Sequence, residues 1–429
     1  MKISIINGQI LNPVTRTRET TDLHIAEGKI VGRESCPEGF IPDLTLDAKN
    51  KWILPGLTDL QARCREPGHE HKGTLSSETH AAAANGVTTL CCPPDTLPII
   101  DSPSVANLIQ QKAREAGKAE VLPIGALTTG LNGTHLSEME ALLSAGCIGV
   151  SNASQPIENL QILYQAMQYA HTFGLPIFVQ PCETTLARHG SAHQGPVSTR
   201  LGLRGIPACA ETIAIATMLE LAEATGVTVH FGQISTAKGV EMLHQAKQRG
   251  LPISFDIAMH QLFLIDNDLL DFNANCHVLP PLRSQQDRNA LRHAVKQGWV
   301  DTLCSDHQPH EAEAKLAPFA ATEPGISSLD TLLPLAIRLA EELDIDFDQI
   351  LPLLTLGPAR ILDREEMAFE AGQKANLALV DPDHVWNLTC EGMASQGKNS
   401  PFLGWEFTGQ VTHTLLEGHI VFQRDPAAK

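Results

Sequence analysis

The chain has 429 residues, 31 Lys+Arg against 49 Asp+Glu, a formal net charge of −18 at pH 7, and 43% hydrophobic but only 4% aromatic residues. That apolar fraction supports a sizeable core and excludes disorder as the main state. The acidic balance argues against nucleic acid or an anionic membrane surface as a non-specific partner. Length allows up to three domains at about 150 residues each, although α/β barrels reach about 250 residues as one. Eighteen histidines raise metal chemistry as a question.

The chain opens on short strands at 3–6, 23–25 and 29–31, separated by Asn7-Gly8 and Glu27-Gly28, both hairpin signals. From Trp52 apolar runs alternate with alanine-rich helical segments. Candidate strands are 53–60, 87–92, 120–125, 147–151, 176–180, 227–231, 252–257 and 301–305; candidate helices include 104–116, 157–173, 210–224, 238–249 and 287–297. Eight continuous apolar strands separated by helices predict a (β/α)8 barrel whose parallel sheet is covered on both faces. After a helical region at 351–362 the strand pattern returns at 376–380 and 411–421. The economical architecture is α/β: a TIM-like barrel over 53–365, inserted in a small composite β-sandwich domain built from 1–52 and 366–429.

Ten scattered cysteines form no CxxC pair, which removes a zinc ribbon and a thioredoxin-type motif. With no signal-peptide pattern at the start and no long apolar run, a cytoplasmic protein is expected.

In a barrel the chemistry sits at the carboxyl ends of the strands. Those ends read Asp59-Leu60-Gln61-Ala62-Arg63-Cys64-Arg65, Cys92-Pro93-Pro94-Asp95, Ser151-Asn152, Gln180-Pro181-Cys182, Gly232-Gln233-Ile234 and Ser305-Asp306-His307-Gln308-Pro309-His310. Metal-assisted hydrolysis needs several His or carboxylate ligands converging around an open position. Asp306 is the one unambiguous candidate. Gln61, Asn152 and Gln233 are neutral amides, Arg63 brings a fixed positive charge, and Pro181 has no side-chain donor atom.

Across nearly the whole chain these segments resemble the dihydroorotase family of the amidohydrolase superfamily. The motifs that carry the resemblance are Pro55-Gly56-Leu57-Thr58-Asp59, Arg65-Glu66-Pro67-Gly68, Gly202-Leu203-Arg204-Gly205-Ile206-Pro207 with Ala210-Glu211, Pro280-Pro281-Leu282-Arg283, the strand-eight end, Pro324-Gly325 and Lys398-Asn399-Ser400-Pro401-Phe402. The resemblance implies zinc ligands at Gln61, Arg63, Asn152, Pro181, Gln233 and Asp306, of which only Asp306 keeps a ligand-type side chain, in the position of the general base. No lysine stands near Asn152 to be carboxylated in its place. Of the implied substrate contacts, Arg65, His310, Pro324 and Gly325 match, whereas two asparagines are replaced by Asp95 and Leu279. No metal or other cofactor is therefore expected.

The pattern is similar to that of the non-catalytic dihydroorotase-like subunits that accompany aspartate carbamoyltransferase. It implies a structural partner for that enzyme's catalytic subunit in pyrimidine biosynthesis, in a homo- or hetero-oligomer. Two alternatives stand beside it. One is an active cyclic amidohydrolase with a rearranged metal site drawn from His69, His71, Asp306 and His310. The other is a sensor in which Arg65 and His310 still bind a small carboxylate. Arg63 has two readings, an ion pair with Asp306 in place of the cation or none; Arg65 is either a carboxylate binder or the partner of Asp95.

Overall fold

The computed structural model describes residues 1–425. Eight parallel strands line a closed barrel: Leu57–Asp59, Val87–Cys92, Glu120–Pro123 continuing through Gly125–Ala126, Val150–Ser151, Ile177–Val179, Val229–Phe231, Ile253–Ala258 and Thr302–Cys304. They pair in sequence order. Strand eight closes on strand one through a parallel bridge between Ala62 and His307, with Arg63 N donating to His307 O at 2.9 Å and His307 N to Gln61 O at 3.1 Å. The fully buried Asp59 seals the same seam, accepting from Ser305 N at 3.0 Å and from the Ser305 hydroxyl. All eight strands foreseen from the apolar runs are present, and every residue of Val87–Cys92 is buried, as a sheet covered on both faces requires.

Local chemistry sets the helix ends. Thr74 and Ser77 form a capping box for Leu75–Ala84, and Ser284 with Asp287 does so for Gln285–Lys296. Pro103 opens Pro103–Ala116, which Gly117 ends at φ 61°.

The two termini share an eight-stranded sheet. Ile3–Asn12, Thr17–Ala26, Lys29–Arg33, Leu44–Asp47 and Trp52–Pro55 come from the first segment; Leu377–Asn387, Glu406–Leu416 and His419–Gln423 come from the last. The seam between segments is the antiparallel pairing of Trp52–Pro55 with Leu377–Asn387. This sheet has its own core, including Ile3, Ile5, Leu23, Ile25, Leu377 and Leu415.

Glu27-Gly28 is the expected hairpin turn, with φ 51° and 78°. Asn7-Gly8 is not a turn. Ile3–Asn12 runs straight through it, with a bulge between Ile5 and Gly8 and Asn7 at φ 61°. The chain reverses instead after Asn12, whose side chain accepts from Val14 N and Thr15 N. Gly8 serves close packing, because a Cβ there would lie 2.4 Å from Ile53 Cδ1. A matching turn at Glu417-Gly418 abuts the first, and a Cβ on Gly418 would lie 2.8 Å from Gly28 Cα. The ends of the sheet therefore meet.

The segment between Leu377–Asn387 and Glu406–Leu416 returns to the barrel and is anchored there by buried acids. Glu78 Oε2 accepts from His307 Nε2 at 2.8 Å and from Ser395 Oγ at 2.6 Å, while its Oε1 accepts from Gln396 N at 3.2 Å. His307 Nδ1 accepts from Ser328 N, so its Nε2 carries the hydrogen given to Glu78. Asp330 accepts from Ala394 N at 2.7 Å and Ser395 N at 3.2 Å. Glu78 and His307 have no exposed side-chain surface. Glu78→Ala should therefore cost about 3–5 kcal/mol in urea unfolding, with faster amide exchange confined first to 393–399; unchanged exchange in that segment would contradict the anchoring role.

Candidate functional site

The carboxyl ends of the barrel strands converge on a small polar centre formed by Gln61, Arg63, Asp95, Gln233 and Asp306. Its backbone is held in conformations that side chains rarely adopt: φ is 49° at Asp306, 58° at Gln233, 49° at Ala153 and 64° at Arg65. Such left-handed residues persist only where their surroundings over-determine them, and they cluster at sites.

Asp306 is 1% exposed. Its Oδ1 accepts from Gln233 Nε2 at 2.7 Å and from Gln308 Nε2 at 3.0 Å, and Arg63 Nη1 stands 3.6 Å away. Burial pushes the carboxyl up to about 7, against the opposing pull of Arg63. Arg63, 8% exposed, gives its Nε–H to Asp95 Oδ2 at 2.8 Å. Burial alone would raise Asp95, but the Arg63 guanidinium overrides it and holds the carboxyl below its ordinary range. One guanidinium thus serves two acids, Asp95 closely and Asp306 less closely.

Beneath this centre Asp256 Oδ1 accepts from Gln233 N at 2.6 Å and from Cys304 Sγ at 3.2 Å. Asp256 Oδ2 lies 2.9 Å from His230 Nε2, and His230 Nδ1 lies 2.8 Å from Ser254 Oγ. The cavity lined by Gln61, Arg63, Phe178, His230, Gln233 and Asp256 measures about 30 Å3. Arg63 and Gln233 line it, and Arg63 Nη1 and Gln233 Oε1 have no hydrogen-bond partner in the protein. A donor and an acceptor around that volume suit a bridging water.

The remaining positions are spread around the rim. Asn152 turns away from the centre: its Oδ1 accepts from Thr128 Oγ1 at 2.7 Å and its Nδ2 donates to Gln155 O at 3.0 Å and Leu131 O at 3.3 Å. Pro181 is buried and contributes no donor atom. Leu279 stands on the surface, 37% exposed.

Arg65 does not bond Asp95. Its Nε donates to Pro309 O at 3.0 Å and its Nη2 lies 3.0 Å from His310 Nε2, which is also 3.0 Å from Pro324 O. Burial pushes Arg65 down to about 10 and, with the adjoining positive charges, holds the His310 ring at about 2, so that imidazole is neutral. Gly325, at φ 133°, is fixed by Lys315 Nζ and Asn399 Nδ2, each donating to its carbonyl at 3.0 Å.

The rearranged metal set does not assemble. His69 and His71 have ring centroids 6.1 Å apart, and His71 turns toward Glu311 at 3.9 Å, whereas His310 faces Arg65. Among the described residues no group of three or more His, Cys, Asp or Glu is arranged to hold a metal ion. A divalent cation needs lone pairs aimed at one point; at this centre N–H groups aim at Asp306 and a guanidinium adds positive charge. The residues present do not fit such an ion. The strand-end reading did not assign Gln308, Asp256 or His230 to the centre, although Gln308 stood in a quoted strand end and His230 and Asp256 lie within the candidate strands 227–231 and 252–257.

The Asp306 carboxyl titrates upward from 3.8 to about 7, so between those values the folded chain holds a proton the unfolded chain has lost. Stability contributed by that proton is present at low pH and is lost as pH rises. Relative to Asp306→Asn, the native chain should lose up to about 1.4 kcal/mol per pH unit between roughly pH 4 and 7, measured by urea unfolding at stepped pH. A constant gap between the two proteins would refute the assignment.

Comparison with known proteins agrees with this architecture. A family model described as dihydro-orotase-like matches residues 50–239. The chain is 47% identical over 423 residues to a dihydroorotase-like protein of Pseudomonas aeruginosa, covering 99% of this chain and all of that one. It is 34% identical over 426 residues to a dihydroorotase of a Geobacter species, again covering 99% of this chain and all of the other. Among solved structures the L-hydantoinase (dihydropyrimidinase) of Arthrobacter aurescens superposes with a TM-score of 0.87 over 98% of this chain and 96% of that one, at 20% identity, which bears on fold alone. The chain belongs to the dihydroorotase-like family.

Proposed function

We propose that this protein is a catalytically inactive, metal-free dihydroorotase-like protein of pyrimidine biosynthesis that supports the assembly and activity of aspartate carbamoyltransferase. The observation that carries the inactive half of this reading is the polarity of the centre. Two side-chain amide N–H groups point at Asp306 and a guanidinium stands beside it. Metal-dependent hydrolysis instead needs a Lewis acid, or a water made nucleophilic by one. The cavity volume supports the same reading: about 30 Å3, against roughly 300 Å3 or more for an ordinary small-molecule pocket. The transferase as partner rests on the resemblance of the whole chain to subunits of that kind.

The reading is tested by co-expressing the chain with the catalytic chain of aspartate carbamoyltransferase. Expected are a common complex on size exclusion and carbamoyl-transfer activity higher than for the catalytic chain alone. Separate elution with unchanged activity would sink the partnership, and turnover of dihydroorotate by the metal-supplemented protein would sink the inactivity. A double variant, Gln61→His with Arg63→His, should show no turnover of dihydroorotate even with added Zn2+, because Asn152, Pro181 and Gln233 still offer no ligand set. Measurable hydrolysis by that variant would show that fewer ligands suffice.

A further inference from the structure

We infer that the Arg63 guanidinium is the resident cation of this barrel: a built-in replacement for a metal ion that neutralises Asp95 and Asp306 and thereby keeps divalent cations out. The inference rests on the metal-free reading above and adds what took the ion's place. Three observations support it.

The first is placement. Arg63 leaves the end of strand one, where Ala62 bridges His307, and reaches the acid after strand two through Nε and the acid after strand eight through Nη1. A single positive group thus joins three strand ends, as a bound ion would. The second is charge balance. Asp306 is buried near Asp59 and Asp256, both acidic, and the positive charge that acts on it is that of Arg63. Removing the guanidinium leaves Asp95 and Asp306 without that counter-charge, a costly arrangement in a buried site. The third is hydrogen-bond polarity. Gln233 and Gln308 both present N–H groups to Asp306 Oδ1. Those donors complete the Oδ1 shell of a carboxylate already paired with a cation, leaving the guanidinium as the group that stands where an ion would.

The test compares the native chain, Arg63→Gln, Arg63→Lys and the double variant Arg63→Gln with Asp95→Asn, all at about pH 8, above the Asp306 midpoint. Melting temperature and loss of the free Mn2+ electron-paramagnetic-resonance signal are read with and without millimolar Mn2+. The native chain and Arg63→Lys should ignore Mn2+. Arg63→Gln should melt lower by roughly 3–8 °C, regain most of that loss with Mn2+, and take up about one ion per chain. The double variant should regain stability without metal and take up none. If Arg63→Gln does not fold without metal, recovery of folded protein on adding Mn2+ replaces the melting readout, and recovery through Asp95→Asn alone overturns the inference.

An Arg63→Gln protein as stable as the native chain overturns the inference. So does a destabilised one that only Asp95→Asn relieves, since Arg63 would then be an ordinary ion-pair partner. Stoichiometric Mn2+ uptake by the native chain would overturn both this inference and the metal-free reading. A negative co-elution with the transferase leaves this inference standing.

Discussion

The organisation of the barrel mouth follows from one constraint: a buried carboxylate must be met by hydrogen-bond donors, by a buried cation, or by both. Asp59, Asp256 and Asp306 are each within 1% of full burial and stand at the ends of neighbouring strands. Asp59 and Asp256 meet the requirement with hydrogen-bond donors, Asp59 from Ser305 and Gln61, Asp256 from Gln233, Cys304 and His230. Asp306 takes two amide donors and still needs charge, which Arg63 supplies while chiefly engaged with Asp95. An isolated buried charge is expensive, whereas a paired and hydrogen-bonded one is tolerable. The identity of residue 63 therefore constrains residues 95, 233, 306 and 308 together.

The motifs that survive are those that build the barrel. Glu211 Oε1 accepts from Thr236 N at 3.0 Å and Thr236 Oγ1 at 2.6 Å, its Oε2 accepts from Ser235 N at 3.1 Å, and Arg283 stands 3.9 Å away. Arg283 in turn donates to Ser235 Oγ at 2.9 Å and Ile206 O at 3.2 Å. Three sequence segments that carry the family resemblance form in this chain a buried clamp on the loop after strand six. Asn399 does the same at strand eight, with Oδ1 accepting from His310 N and Nδ2 donating to Gln308 O. Losing such residues would unfold the rim, and losing a metal ligand need not. The bonds of Glu211, Arg283 and Asn399 thus belong to the fold of the barrel mouth, and none of them is made to Arg63, Asp95 or Asp306.

That separation also explains what the sequence made legible. The apolar runs announced all eight barrel strands, because a sheet buried on both faces leaves no polar alternation to confuse the pattern. Glu27-Gly28 announced its turn for a local reason, two consecutive left-handed residues. Asn7-Gly8 misled because the same dipeptide also suits a bulge, and the choice is made by Ile53 packing over Gly8, 45 residues further on. At the site, spacing located Gln61, Arg63, Gln233 and Asp306 at strand ends but gave no orientation. Neither the choice of Asp95 by Arg63, nor that of Pro309 O and His310 by Arg65, nor the outward turn of Asn152 is written in spacing. Each is settled by the nearest available partner in three dimensions.

Coupling of this kind makes the state of the centre hard to reverse. Replacing Arg63 by a neutral ligand leaves Asp95 buried beside the positively charged Arg65 but without its hydrogen-bonded partner. Replacing Gln233 by histidine removes the amide that Asp306 accepts from at 2.7 Å. Restoring an acid at Asn152 disturbs the bonds that its side chain makes to Thr128, Leu131 and Gln155. Each single step toward a ligand set carries a cost as long as no ion is held, and the full benefit of coordination appears only when several ligands are present. Effects among residues that share partners are non-additive, and a buried charge left unpaired at any one step is itself destabilising. The clamp of Glu211, Arg283 and Asn399 holds the rim through bonds in which Arg63, Asp95 and Asp306 take no part.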